Sequence, residues 1–224
     1  MFVDAETQLT LLLGFPVAHS LSPLIHNTAF RAQKLNRLYV AASVRPPDLA
    51  AAVAGLRALG AAGANVTIPH KAAVLPLADS LSPQAQAIGA INTLVVQARK
   101  DGPSMLYGDN TDIAGFLEPL HAHAASLHQT SMLIFGAGGA ARAVAYALLT
   151  AFQPDRLTLA ARTTAKAEAL ARDLAPYDAA GVLRVARLEE AGPDVRASRL
   201  LVNATPLGTT PDVRATPWPH AADF

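Results

Sequence analysis

Short apolar runs alternate with amphipathic stretches along the whole chain. Gln8–Gly14 is an apolar run of strand length. Ser22-Pro23 then offers a helix N-cap with proline at the first helical position, and Leu24, Ile25, Thr28 and Leu35 follow at helical spacing. Residues 37–44 read as a second strand and 46–59 as a helix opened by Pro-Pro-Asp. Residues 63–68 read as a third strand, stopped by Pro69. Residues 89–97 and 104–107 predict two more strands around the polar turn Arg99-Lys100-Asp101-Gly102. Asp112 can cap a helix running through Phe116 and Leu117, and residues 121–130 reset the pattern. A second series starts at Ser131: a strand over 132–135, a Gly-rich turn, a helix to about Thr150, a strand over 157–160 and a helix over 165–174. Short strands over 182–186 and 199–202 complete it. This alternation predicts an α/β fold with mostly parallel strands, divided near Thr111 into domains 1–111 and 112–224.

Composition narrows the function classes. Over 224 residues, 51% hydrophobic and 16% charged positions supply a substantial core and exclude disorder. A net charge of +1 gives no electrostatic case for nucleic acid or an anionic membrane. Without cysteine there is no disulfide framework, thiolate nucleophile or Cys-based metal site, and no His and acid pair has metal spacing. The N-terminal apolar run is too short and too acidic for a signal peptide, and no longer run is unbroken enough to span a membrane. A cytoplasmic protein with a small-molecule partner, monomer or homodimer, is expected.

Gly136-Ala137-Gly138-Gly139-Ala140-Ala141 is a G-x-G-x-x-A turn between an apolar strand and a helix. The first Gly permits the tight turn, the second lets backbone N–H groups approach a pyrophosphate, and Ala141 lets the helix pack close to the strand. Tight packing in an Ala-rich chain is the plain alternative; the strand–turn–helix context favours a dinucleotide. The next strand ends Ala161-Arg162-Thr163-Thr164-Ala165-Lys166, without the acid that would accept from an NAD ribose. Arg162 can present its fork to a 2′-phosphate, Lys166 a point charge and Thr163 a hydroxyl, which selects NADP over a merely solvated basic strand end.

Polar residues of the first domain gather where strands end. The period of two puts Asn65 and Thr67 on one face and Val66 and Ile68 on the other. Pro69-His70-Lys71 is expected to turn into a helix, placing Lys71 against the dipole at its N-terminus, an opposition that suits proton transfer. A surface lysine is the bland reading, but the chain has only four lysines and this one follows a polar strand face. Ser22 is explained as an N-cap; Ser20 has no such explanation, and the two hydroxyls could bind a carboxylate. His19 and His26 read as structural. Asn92-Thr93 and Asp109 add amide, hydroxyl and acid, with Asp112 accounted for as a cap.

In this order, His19-Ser20-Leu21-Ser22-Pro23, Ala64-Asn65-Val66-Thr67-Ile68-Pro69-His70-Lys71, Gly89-Ala90-Ile91-Asn92-Thr93, Gly108-Asp109-Asn110-Thr111-Asp112, Gly136-Ala137-Gly138-Gly139-Ala140-Ala141-Arg142 and Asn203-Ala204-Thr205-Pro206-Leu207-Gly208 resemble the motifs of the shikimate dehydrogenase family. One such motif would mean little; six in order are highly specific. The resemblance implies a substrate domain followed by a Rossmann-type NADP-binding domain. It implies reversible NADPH-dependent reduction of 3-dehydroshikimate to shikimate, in aromatic amino acid biosynthesis. It further implies that Ser20 and Ser22 hold the substrate carboxylate, that Thr67, Asn92 and Asp109 contact ring hydroxyls, and that Lys71 and Asp109 share the transferred proton. Gly136, Ala137, Gly138, Gly139 and Ala140 would cradle the diphosphate, Arg162, Thr163 and Lys166 the 2′-phosphate end, and Thr205, Pro206 and Leu207 would line the cofactor.

Two departures from the family pattern stand out. Ala161 replaces the Asn that usually precedes the clamp Arg, which is expected to weaken adenosine binding. The stretch from Trp218 to Phe224 ends where the family enters its next strand, ahead of a helix bearing a substrate-contacting Gln. The rival readings are a quinate or mixed quinate/shikimate dehydrogenase, against which the paired serines speak, and a truncated chain that binds without turnover.

Overall fold

The computed structural model describes residues 3–209 and 212–220. The end of the stretch at which the family's next strand is expected, residues 221–224, lies outside the described residues. The chain divides into two compact units, Met1–Thr111 and Asp112–Phe224.

The first unit runs β1 (Gln8–Gly14), α1 (Ser22–Ala32), β2 (Arg37–Ser43), α2 (Leu49–Ala58), β3 (Gly63–Val66), β4 (Ser80–Leu81), α3 (Pro83–Ile88), β5 (Thr93–Gln97) and β6 (Met105–Asp109). Its sheet has the order β2-β1-β3-β5-β6-β4. β1 pairs parallel with β2 and β3, and β4 with β6, while β5 runs antiparallel to both its neighbours. The pleat sorts the side chains. Leu13, Ala64, Val66, Leu94 and Leu106 share a core with Val53 and Leu56 of α2. Leu12 and Tyr39 point the other way and pack with Phe30 of α1.

Several expected boundaries move. The strand expected over 89–97 begins at Thr93, because Gly89 closes an unanticipated helix and residues 90–92 form an irregular link between the two. In α3, Ser82 Oγ accepts from the Ala85 N–H at 3.0 Å, Pro83 opens the helix and left-handed Gly89 closes it. No helix starts at Lys71: turns lead into a short 3₁₀ segment, Leu75–Leu77. Pro76 lacks the N–H that a continuing helix needs and disfavours the α conformation at Leu75. Ser22 is not an N-cap but the first helical residue of α1; Leu21 occupies the cap and supplies no side-chain bond. Residues 46–48 form a 3₁₀ turn ahead of α2.

The second unit runs α4 (Asp112–Leu117), a 3₁₀ segment (Glu118–His123), α5 (Ala124–Leu127), β7 (Ser131–Phe135), α6 (Gly139–Phe152), β8 (Arg156–Ala161), α7 (Thr164–Leu174), β9 (Leu183–Arg187), α8 (Gly192–Ala197) and β10 (Leu200–Asn203). Residues 121–130 are therefore largely helical rather than a break in the pattern. Asp112 lies in the first turn of α4, where a carboxylate complements the dipole. The sheet, β10-β7-β8-β9, is wholly parallel. Both faces are covered, which is why β7 is apolar from Met132 to Phe135. Met132 and Ile134 pack against α6 and α7, whereas Leu133 and Phe135 pack with Val195 of α8 and with Trp218. Leu148, Leu149 and Phe152 anchor α6 in this core, each contributing about 1.5–3 kcal/mol by burial.

Candidate functional site

In the first unit the functional side chains stand on the face opposite α2. The register sets Asn65 on β3 opposite Thr93 on β5, and Thr93 opposite Asp109 on β6. Residues directly opposite share a face, so an amide, a hydroxyl and a carboxylate form one row across three strands. Asn65 Nδ2 donates to Thr93 Oγ1 at 3.3 Å, and Thr93 Oγ1 donates to Asn92 Oδ1 at 2.9 Å. Asn92 is 8% exposed, and its Nδ2 donates to Thr111 Oγ1 at 3.1 Å while its Oδ1 accepts from the Thr111 N–H at 2.9 Å. Asp109 Oδ1 accepts from the Asn110 N–H at 2.7 Å, which sets the carboxylate at the strand's end.

The serine pair lies where β1 passes into α1. Ser20 Oγ accepts from the Ser22 N–H at 3.2 Å and donates to Ser22 Oγ, also at 3.2 Å. Two hydroxyls held side by side can turn two donors toward one anion. Thr67 follows the end of β3; its N–H donates to Leu13 O at 2.9 Å, and its methyl lies over Gly14. Lys71 is half-buried, and its carbonyl accepts from the Ile91 N–H at 2.7 Å, tying its turn to the segment that carries Asn92. The turn has a second anchor that the sequence pattern does not reveal. His70 is 1% exposed, and its Nε2–H donates to Val44 O at 2.7 Å. A backbone carbonyl only accepts, so this bond fixes the tautomer.

The Gly-rich turn opens the second unit's site. Gly136 takes φ 111°, and a Cβ there would lie 3.1 Å from both Ala204 O and Thr205 Cγ2, so glycine is required. At Gly138 and Gly139 an added Cβ would meet nothing within 4 Å. Protein packing thus does not explain those glycines, whereas close approach by a ligand does. Ala141 is fully buried in the core beneath α6. A cavity of about 290 Å³ begins at Gly136, Ala137 and Gly138 and runs past Arg162, Thr163 and Lys166 to Thr205, Pro206 and Leu207. Among the described residues its lining contains no acid. Thr163 precedes α7 but makes no side-chain cap bond. Gly139 and Ala140 belong to the first turn of α6, whose N–H groups and dipole favour an anion.

Asn203 shapes the far wall. Its Oδ1 accepts from the Thr205 N–H at 2.9 Å and from Thr205 Oγ1 at 2.7 Å, and its Nδ2 donates to Leu207 O at 2.9 Å. The site sits at the strand ends between β8 and β10, on either side of β7, the switch point at which such sheets bind nucleotides. These residues fit a diphosphate with a further phosphate at the Arg162 end.

The family described as "Shikimate dehydrogenase substrate binding domain" matches residues 12–94. Across its full length the chain is 59% identical to "Shikimate dehydrogenase (NADP(+))" of Salinibacter ruber, covering 78% of that protein. The chain belongs to the shikimate dehydrogenase family. Among solved structures, the Thermus thermophilus shikimate 5-dehydrogenase in complex with NADP(H) and shikimate is 40% identical, with a TM-score of 0.81 over 97% of this chain and 75% of that one. A quinate dehydrogenase from Corynebacterium glutamicum in complex with NAD is 30% identical, with a TM-score of 0.84 over 95% and 75%.

Within this shikimate dehydrogenase fold, several members of the polar network go unmarked by the sequence alone. The strand period puts Asn65 on the right face but gives it no task, and Tyr39, Thr111 and His70 gain theirs only from the fold. Tyr39 carries a signal that could have found it: the period of two turns it inward on β2, and a buried phenol needs a partner for its hydroxyl.

Proposed function

We propose that the protein catalyses reversible transfer of a hydride between shikimate and NADP⁺, giving 3-dehydroshikimate, NADPH and a proton. The observation that carries this reading is the full-length 59% identity to a shikimate dehydrogenase (NADP(+)). The geometry of each unit supports it. Ser20 and Ser22 offer paired donors to the substrate carboxylate. Thr67, Asn92 and Asp109 offer a hydroxyl, an amide and a carboxylate to the ring hydroxyls, the mixture of donors and acceptors that an alcohol needs.

Lys71 and Asp109 are the proton-handling pair. In the reduction direction, Lys71 donates to the carbonyl oxygen as it becomes an alcohol; in oxidation it takes that proton back. Asp109 accepts from the substrate hydroxyl and orients it. Bound NADP supplies or accepts the hydride. The N–H groups of the turn from Gly136 to Ala140 hold its diphosphate, and Arg162, Thr163 and Lys166 hold its 2′-phosphate. Thr205, Pro206 and Leu207, fixed by Asn203, form the opposite wall.

A quinate dehydrogenase reading has the solved quinate enzyme as its specific support. The absence of an acid among the described lining residues of the cofactor cavity favours NADP over NAD, and the serine pair favours shikimate. Shikimate deuterated at C3, incubated with NADP⁺ and the protein, tests the reaction. The deuteron is expected on the nicotinamide ring by mass spectrometry. Reduced cofactor without label would overturn the proposed hydride donor, and unchanged cofactor would overturn the activity.

A further inference from the structure

The buried Tyr39 hydroxyl on β2 donates to Asn65 Oδ1 at 2.8 Å and so ends within the polar row already described. His70 reaches elsewhere. It is 1% exposed and stands directly before Lys71, yet its Nε2–H donates to the carbonyl of Val44, just beyond β2, at 2.7 Å. Val44 is itself buried, and its N–H donates to Gly14 O at 2.9 Å, at the end of β1. The His70 bond therefore spans 26 residues of chain and ties an irregular turn to the ordered ends of β1 and β2.

The two halves of this turn have different support. Ahead of His70, the Thr67 N–H donates to Leu13 O at 2.9 Å and the Phe15 N–H to Ile68 O at 3.0 Å, so β1 holds Thr67 whatever side chain follows at position 70. After His70, only turns follow Lys71 up to the 3₁₀ segment Leu75–Leu77. The Ile91 N–H donates to Lys71 O, but Ile91 belongs to the irregular link between α3 and β5. The His70 ring is what couples this half to the end of a strand.

We infer that His70 is a positioning residue for proton transfer: its bond to the Val44 carbonyl sets the backbone from which Lys71 reaches the substrate. The inference rests on the assignment of Lys71 as the proton-handling group. A lysine ammonium rides on a flexible four-carbon stem, so it is placed only as well as the backbone that carries it. Proton transfer needs the two heavy atoms within about 2.6–3.2 Å. Shikimate binding draws also on the serine pair at the start of α1 and on Thr67, which β1 holds. A buried carbonyl deprived of its donor draws in water or moves, and the turn moves with it. The damage then falls on turnover more than on binding.

Steady-state kinetics and ligand titrations of His70→Leu, His70→Gln, Lys71→Ala and the double variant His70→Leu/Lys71→Ala, with thermal melts of each, test this. Leucine fills similar space without a donor, whereas glutamine has a similar reach and keeps an N–H for the Val44 carbonyl. His70→Leu is expected to lower kcat by roughly 10–100-fold, the scale of a reacting group displaced by about 1 Å. Its Kd values for shikimate and NADP⁺ should stay within about threefold, and His70→Gln should recover kcat to within about threefold of wild type. In the Lys71→Ala background His70→Leu should cost less than about twofold, because the group it positions is gone.

Near wild-type kcat in His70→Leu, beside a lowered one in Lys71→Ala, overturns the role of His70 alone. So does a loss in both Kd values that matches the loss in kcat, which marks a general structural role. A His70→Gln variant no better than His70→Leu, or losses that multiply in the double variant, overturns it too. Wild-type kcat in Lys71→Ala overturns the lysine assignment and the role of His70 with it. If His70→Leu does not fold, His70→Asn takes its place. Its shorter amide does not span to the Val44 carbonyl, and a wild-type kcat there overturns the inference as well.

Discussion

Replacing Gly138 by alanine separates a glycine kept for a ligand from one kept for the fold. Gly138 has φ −94° and ψ −168°, extended backbone open to any residue, and an added Cβ meets nothing within 4 Å. Alanine at this N-cap costs a few tenths of a kcal/mol to about 1 kcal/mol. Lower entropy of the unfolded chain returns about 0.4–1 kcal/mol. The two nearly cancel, so the melting temperature should move by no more than about 3 °C. Binding should suffer, because the methyl stands where the backbone must approach a diphosphate. A misfit of one methyl costs about 1–3 kcal/mol, a rise of roughly 5–150-fold in Kd for NADPH. Gly136→Ala is the control with the opposite signature. Its φ of 111° and 3.1 Å clashes put the cost into folding, so it should melt at least about 4 °C lower. NADPH fluorescence titrations beside thermal melts read both quantities. Wild-type NADPH affinity in Gly138→Ala, or a loss of stability equal to that of Gly136→Ala, would refute the reasoning.

Lys71→Ala should lower kcat by roughly 10²–10⁴-fold while shifting the Kd for shikimate much less; near wild-type turnover would demote Lys71 to a turn residue. Arg162→Ser should weaken NADP⁺ relative to NAD⁺ by about 1.5–3 kcal/mol, read as the ratio of the two Kd values. Equal losses would assign Arg162 to the fold. The Arg57 guanidinium, 2.8 Å away, and the Leu106 N–H hold the Asp79 carboxyl below the ordinary range. A depressed folded value contributes stability above the unfolded value of about 3.9 and loses it as pH falls through the folded value. The melting-temperature gap between wild type and Asp79→Asn should therefore be constant above about pH 5 and close below about pH 4; a gap that widens in acid would contradict the sign.

The second unit is legible in the sequence because its signals are local. A continuous apolar strand, a Gly-rich turn and a helix with a buried small-residue face follow one another along the chain. The lack of an acid after the second strand is likewise read without any tertiary knowledge. The first unit is harder because its site is assembled by register. Asn65, Thr93 and Asp109 become neighbours only once β3, β5 and β6 are aligned, and β5 must run against both partners. Lys71 stands out in the sequence for a reason the fold does not supply: no helix starts at it, and its turn is held by His70 and by Ile91 instead. α3 escapes the pattern although its punctuation is present, since Ser82-Pro83 opens it and Gly89 closes it over too few residues for a period to show. Tyr39 reads on β2 as one more inward-facing apolar position until the partners of its hydroxyl are known.

The central claim is that this chain pairs a shikimate-binding unit with an NADP-selective Rossmann unit. Absorbance at 340 nm, followed with shikimate or quinate and with NADP⁺ or NAD⁺, measures all four combinations on one preparation. The account predicts that shikimate with NADP⁺ gives the highest kcat/KM, exceeding quinate with NADP⁺ and shikimate with NAD⁺ by about tenfold or more, as loss of one charge-assisted contact implies. Equal rates with NAD⁺, or a preference for quinate, would contradict it.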